Sequence, residues 1–290
     1  MTGPAAPAAL ATFRDRLERP IFIVSTPRSG STLLFETFAQ APGLYTVGGE
    51  SHGLIEGIAA LAPEAHGWAS NRLTADEAAP AQIERLASIF YQELRDRDGR
   101  RPEGPVRMLE KTPKNALRVP FFAAAWPDAT FVYLYRDARQ TLSSMIEAWR
   151  SGRFRTYPQL PGWTGLPWSL LLTPGWQRLN GLPPREVVPH QWATTTELLL
   201  DDLAKLPRER VRAIDYGEFL ASPQTAMEAL AASLDLSWDR PLEQELPLSA
   251  YTVSRPNADK WRANEAIIEE ILPLVEKADA KARAFVESFR

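Results

Sequence analysis

The chain contains no cysteine. That excludes disulfides, thiolate-held zinc and a cysteine nucleophile, and it suits a reducing compartment. Histidine is almost as scarce: His52, His66 and His190 are the whole set, and no two of them have metal-ligand spacing, so no metal site is expected. There is no surplus of positive charge either. Lys and Arg number 33 against 36 Asp and Glu, a formal net charge of −3, so no overall field draws a polyanion and no nucleic-acid partner is expected. A small anion can still be held by local basic groups. No apolar run approaches the roughly 20 residues needed to span a bilayer. The Ala/Pro-rich start is interrupted by charges from Phe13 to Glu18, where a signal peptide needs an unbroken apolar stretch. A soluble, cytoplasmic protein without a membrane partner is expected.

What is present is 290 residues, 44% hydrophobic, without internal repeat or clear boundary, enough for one large domain over 1–290. Residues 1–19 read as a poorly ordered start and a short helix. Four short β-rich runs follow: Ile21–Ser25, Val106–Leu109, Thr130–Tyr135 and Arg210–Asp215. Helical spacing is found over Ser31–Gln40, Ala78–Arg95, Ala116–Trp126, Ala138–Arg150, Gln191–Ala204, Thr225–Leu234 and Asn264–Phe289. Strands alternating with helices predict an α/β fold, a central parallel sheet flanked by helices. Residues 151–190 differ in composition, holding seven of the 25 prolines and five of the 16 glycines. A long irregular segment of this kind is usually functional, and we expect a lid or insertion at the site.

The first chemistry-bearing feature is Pro27-Arg28-Ser29-Gly30-Ser31-Thr32, between the first strand and the first helix. A strand-to-helix turn aims free N–H groups and the positive helix end at one point. Gly30 lets the backbone approach an anion, Ser29, Ser31 and Thr32 add hydroxyls, and Arg28 adds a cationic fork. The spacing invites comparison with the nucleoside-triphosphate P-loop, Gly-x4-Gly-Lys-[Ser/Thr], but Ser25 stands at the first glycine and Ser31 at the lysine. The loop suits a phosphate or sulfate group and lacks the lysine of a β/γ-phosphate clamp. Arg136 ends the Thr130–Tyr135 strand, where open α/β sheets bind ligands.

Together these residues resemble the sulfotransferases that use 3′-phosphoadenosine-5′-phosphosulfate (PAPS). Pro27 to Leu34 is similar to their 5′-phosphosulfate loop. Arg136, with Ser144 eight residues on, is similar to their 3′-phosphate pair. Asp215-Tyr216-Gly-Glu-Phe-Leu-Ala-Ser-Pro223 resembles a later segment that places Tyr216 against adenine. Ser254 to Trp261 resembles the loop that closes on the nucleotide, with Ser254 and Lys260 as further 3′-phosphate contacts. The resemblance spans about residues 20–262 and implies a P-loop-like sulfotransferase fold, PAPS as co-substrate without a metal, and an acceptor hydroxyl on a small or carrier-bound molecule.

Transfer to a hydroxyl needs a base and positive charge for developing oxyanions. Gly48-Gly49-Glu50 resembles the segment of tyrosylprotein sulfotransferases in which a glutamate is the base, which points to Glu50. His52 is the rival, because cytosolic members use a histidine and imidazole suits neutral pH. Lys111, in Glu110-Lys111-Thr112-Pro113, is expected at the sulfuryl or bridging oxygen together with Arg28; the alternative is a lysine paired with Glu110. Phe154, Tyr157, Trp163, Trp168 and Trp176 are expected to roof an apolar acceptor pocket. Two other readings of the layout are a nucleotide kinase or NTPase, and a PAPS-binding protein that has lost catalysis.

Overall fold

The computed structural model describes residues 12–249 and 257–290. Its elements in chain order begin with β1 (Ile21–Val24), α1 (Ser31–Phe38), β2 (Leu44–Tyr45), α2 (His52–Glu56), α3 (Pro80–Glu93), β3 (Arg107–Lys111), α4 (Val119–Ala125), β4 (Thr130–Tyr135) and α5 (Ala138–Ser151). They continue as β5 (Arg155–Tyr157), β6 (Trp168–Ser169), α6 (Pro184–Leu203), β7 (Val211–Asp215), α7 (Tyr216–Ala221), α8 (Pro223–Ser233), α9 (Glu265–Ile271) and α10 (Glu276–Glu287).

Five strands form one parallel sheet in the order β2-β3-β1-β4-β7. The near-continuous apolar character of β1 and β4 follows from burial on both faces. In β1, Phe22 and Val24 pack with Phe122, Trp126 and Phe131 on one side, while Ile21 and Ile23 pack with Leu34, Phe38, Leu134 and Phe219 on the other. The two-residue period of a strand also settles a question at β3. Leu109 and Lys111 share the α1 side, so Lys111 cannot pair with its neighbour Glu110, which points to the opposite face. In the register, Ile23 is opposite Lys111, Val24 opposite Tyr133, and Tyr135 opposite Asp215. The carboxyl ends of β1, β3, β4 and β7 therefore come out along one edge, where ligands sit in such sheets.

Several boundaries differ from expectation for identifiable reasons. The helix expected over Asn264–Phe289 is two helices, parted at Pro273, which cannot continue an interior helical hydrogen-bond ladder. Helix α6 begins at Pro184 rather than Gln191, because proline is tolerated in a first turn whose N–H groups have no partner. Of the expected start and short helix over 1–19, residues 1–11 lie outside the described residues; Phe13–Arg16 form a turn, and Leu17 bridges to Val106. Residues 151–190 carry structure of their own, the antiparallel pair β5–β6. Trp168 and Trp176 are buried there against Trp149 and Trp163, with ring centroids of 5.3 Å for Trp149–Trp168 and 5.9 Å for Trp168–Trp176. These tryptophans, with α5, α6 and α9, make a third apolar cluster beside the sheet.

Candidate active site

At the carboxyl edge of the sheet lies a cavity of about 620 Å³, within the range that takes a small ligand. The loop after β1 contributes Arg28, Gly30, Ser31 and Thr32 to its lining; β4, α5 and β7 contribute Arg136, Ser144 and Tyr216. Glu50 reaches it from the segment between β2 and α2, His52 from the first turn of α2, and Lys260 from the far end of the chain. Two assigned residues sit differently. Ser29 is buried with its Oγ 2.7 Å from Thr26 Oγ1, bracing the loop from within. Lys111 is buried behind Thr32 and Glu50. Ser254 lies outside the described residues.

The loop's shape is enforced. Gly30 has φ 91°, and a Cβ there would fall 2.2 Å from Tyr216 Cε2, so only glycine fits for both backbone and packing reasons. Arg28 itself has φ 67°, a left-handed conformation that costs an ordinary residue free energy. What holds it is Arg136, whose Nη1 donates to the Arg28 carbonyl at 3.1 Å. Arg28 Nε in turn donates to Ser144 Oγ at 3.3 Å, so Ser144 reaches the site beside Arg28. Helix α1 has no side-chain cap at Gly30, leaving its first N–H groups open.

The electrostatics call for an anion. Neither Arg28 nor Arg136 has an ion-pair partner among the described residues. Asp137, adjacent to Arg136, caps α5 through Gln140 N and pairs with Arg283 at 3.2 Å instead. Burial, then the Arg136 charge, pushes the Arg28 guanidinium below its ordinary value; burial does the same to Arg136. Arg136 also stacks on the Tyr216 ring at 4.9 Å. The buried Oγ of Ser25, directly after β1, has no hydrogen-bond partner among the described residues. Two unpaired guanidinia, an uncapped helix start and an orphan hydroxyl around one glycine turn fit a phosphate- or sulfate-bearing ligand.

On the β3 side, Lys111 Nζ donates to Glu50 Oε1 at 2.8 Å and to Thr32 Oγ1 at 3.1 Å. One ammonium is thus shared between a carboxylate and the anion loop. His52 Nδ1 is 3.6 Å from Glu50 Oε2. Burial alone would raise the Glu50 carboxyl, but the His52 contact and the Lys111 charge outweigh it and hold the group at about 2.

Sequence reasoning missed the framework behind this carboxylate. Ser51 N donates to Thr112 Oγ1 at 2.8 Å and Ser51 Oγ to Glu110 Oε1 at 2.6 Å. Asn115 Nδ2 donates to Glu110 Oε2 at 2.6 Å, and Arg118 Nη1 to Asn115 Oδ1 at 3.3 Å. Arg118 Nη2 reaches Glu56 Oε1 at 2.6 Å, while Lys114 Nζ donates to both Glu56 oxygens at 2.8 Å and to the Tyr157 hydroxyl at 2.8 Å. Burial depresses Lys114 to about 8 despite Glu56, and Glu56 is lowered by Arg118 and Lys114 against the effect of its own burial. The segment 51–56 is therefore fastened at both ends, and the same network reaches β5. Only one part of it left a signal: Glu110 to Asn115 is a polar run where strand and core residues should follow.

The expected aromatic roof is only partly there. Phe154 lines the cavity, and the Arg28 guanidinium lies 4.4 Å from the centre of its ring. Trp168 and Trp176 are core, and Tyr157 is spent on Lys114. Leu33, Ala148, Leu170, Leu171 and Trp261 join Phe154 in the apolar lining. Among the described residues, no cluster of three or more His, Asp or Glu could hold a metal, and no helix is long and apolar enough to cross a membrane.

Comparison with known proteins bears on the family and the fold. Residues 20–240 match the model of the sulfotransferase family. A putative protein-tyrosine sulfotransferase of Caenorhabditis briggsae is 30% identical over 133 residues, 46% of this chain and 45% of that relative, so the match spans less than half of its length. Among solved structures, a sulfotransferase from Alicyclobacillus acidocaldarius superposes with a TM-score of 0.53 at 18% identity, covering 93% of this chain and 97% of that one. One from Mycobacterium avium gives 0.50 at 15% identity, covering 90% and 76%; at such identities the likeness concerns the fold. The chain belongs to the sulfotransferase family.

Proposed function

We propose that this enzyme moves the sulfuryl group of PAPS to a hydroxyl on a small or carrier-bound acceptor with an apolar body, with Glu50 as base. The observation that carries the reading is the shared ammonium: Lys111 bridges Glu50 and the Thr32 hydroxyl of the anion loop. PAPS supplies an activated sulfuryl group; every other task falls to the chain. The loop 27–32 holds the 5′ end, with Arg28 and the open N–H groups of α1 countering its charge. Arg136, Ser144, Lys260 and Ser254 are assigned to the 3′-phosphate, and Tyr216 to the adenine. Leu33, Phe154, Leu170 and Leu171 suit an apolar acceptor body.

A carboxylate held at about 2 is a poor proton acceptor. Its basicity rises when Lys111 turns its charge toward the loop, because the two compete for one cation. Donor binding thus readies the base. The acceptor proton passes to Glu50, and His52, beside it and half-exposed, can pass it to water. His52 is the second candidate for base on that same geometry. The lack of cysteine suits a reducing interior, and we place the enzyme in the cytoplasm, as one domain with residues 151–190 covering the acceptor end.

The test is calorimetry with adenosine 3′,5′-bisphosphate in magnesium-free buffer. Tight binding is expected. If ATP with magnesium binds tightly and the bisphosphate does not, the reading fails in favour of a nucleotide kinase.

A further inference from the structure

Two cations at the cavity wall have no task in the scheme above. Arg153 and Arg155 line the cavity and are exposed, and neither side chain has an ion pair or hydrogen bond among the described residues. Neighbouring cations are engaged: Arg118 and Lys114 hold Glu56, and Lys111 holds Glu50. The acids lining the cavity do not answer them. Glu50 is taken by Lys111, and Glu147 Oε1 accepts from Asn264 Nδ2 at 3.3 Å.

Arg155 is also placed rather than loosely displayed. The segment that carries it is pinned at Phe154, against the Arg28 guanidinium, and at Tyr157, whose hydroxyl accepts from Lys114 at 2.8 Å. Arg155 opens β5 opposite Ser169. Gly152 has φ 63°, and a Cβ there would come within 2.7 Å of an Arg155 guanidinium nitrogen. The two pins set this stretch between Arg28 of the donor loop and Lys114, and Arg153 and Arg155 line the same cavity as Glu50.

We propose that Arg155, reinforced by Arg153, binds an anionic group of the acceptor, and that the acceptor is a hydroxy acid with a carboxylate on the same apolar body as its hydroxyl. This rests on the sulfotransferase reading of the cavity. An arginine fork matches a carboxylate in two parallel hydrogen bonds. A single negative charge is favoured over a phosphate dianion, because the donor brings its own anions into the same cavity and like charges repel.

The experiment titrates the protein, with and without adenosine 3′,5′-bisphosphate, with 4-hydroxyphenylacetate and with its neutral amide. In the wild type the acid is expected to bind at least about tenfold tighter than the amide, a gap that narrows with added salt. In Arg155→Gln, and more fully in Arg153→Gln/Arg155→Gln, the two ligands should bind alike. Equal affinity in the wild type, no binding of either, or a gap that survives in the double variant would overturn the proposal. Bisphosphate affinity, read in the same titrations, separates the two ideas. If it binds and the acid has no advantage, only the subsite fails; if it does not bind, the sulfotransferase reading is what fails, while the acid–amide comparison still decides the subsite.

Discussion

At the β4–β7 end of the cavity the working groups sit where their own strands stop: Arg136 directly after β4, Tyr216 directly after β7. At the β3 end Lys111 also ends its strand, but Glu50 and His52 are delivered by a stretch with little regular structure, from the two-residue β2 to the start of the five-residue α2. The first end is a property of local chain order. The second depends on buried polar contacts between residues 51–56, 110–118 and 157. The donor end can therefore be disabled by removing a group that faces the ligand, whereas the acceptor end can also be disabled from behind, by a change that never touches the cavity.

The largest expected effect falls on the acceptor end. Glu50→Gln should lower kcat by about a thousandfold, typical for loss of a positioned base, with bisphosphate affinity little changed. The same experiment has a pH arm. Because Glu50 is held at about 2 before the donor binds, wild-type kcat/KM for PAPS should stay level as pH falls from about 8 to about 5. A decline toward acid pH, with Glu50→Gln still active, would move the base to His52.

Next comes the framework. Glu56→Gln leaves Lys114 and Arg118 buried without their counter-charge, and chemical denaturation should show a loss of about 3 kcal/mol. The folded Glu56 carboxyl titrates below its unfolded value of 4.5. Its contribution is thus complete above that pH and is lost as pH falls through the lower folded value. The gap between variant and wild type should close in that acid window; a gap that is constant with pH would show that shape, not charge, is what Glu56 provides.

The smallest of the three is at the donor end. Arg136→Ala should weaken bisphosphate binding by about 2 kcal/mol, roughly thirtyfold. Part of that comes from releasing the Arg28 carbonyl. Unchanged affinity would remove the 3′-phosphate assignment.

The same contrast explains what could be read in advance. The four main strands were legible because burial on both faces leaves β-branched and aromatic runs, and the donor loop because a left-handed glycine, a helix start and an arginine occur within a few residues. Residues Lys114, Glu56 and Arg118 were not legible as a group. A buried ion pair between α2 and the turn after β3 has no fixed spacing, and each member alone reads as a solvated charge. The tryptophans of residues 151–190 misled for a related reason: composition says that aromatic side chains pack, but not against what, and Trp168 packs inward on Trp149 and Trp163. The helix across Pro273 was a local error that local chemistry could have caught.

The contact between Gly30 and Tyr216 carries a consequence for the order of events as the chain is made. The loop that begins the sheet is shaped by a ring that follows its last strand, and that strand joins at the edge only after β4 is in place. During synthesis the motif at residues 27–32 emerges early, yet its backbone has neither Arg136 nor Tyr216 to hold it until most of the protein has been made. Nucleotide capture is therefore a late event, and binding of the bisphosphate doubles as a readout that the carboxy-terminal part of the sheet has docked correctly.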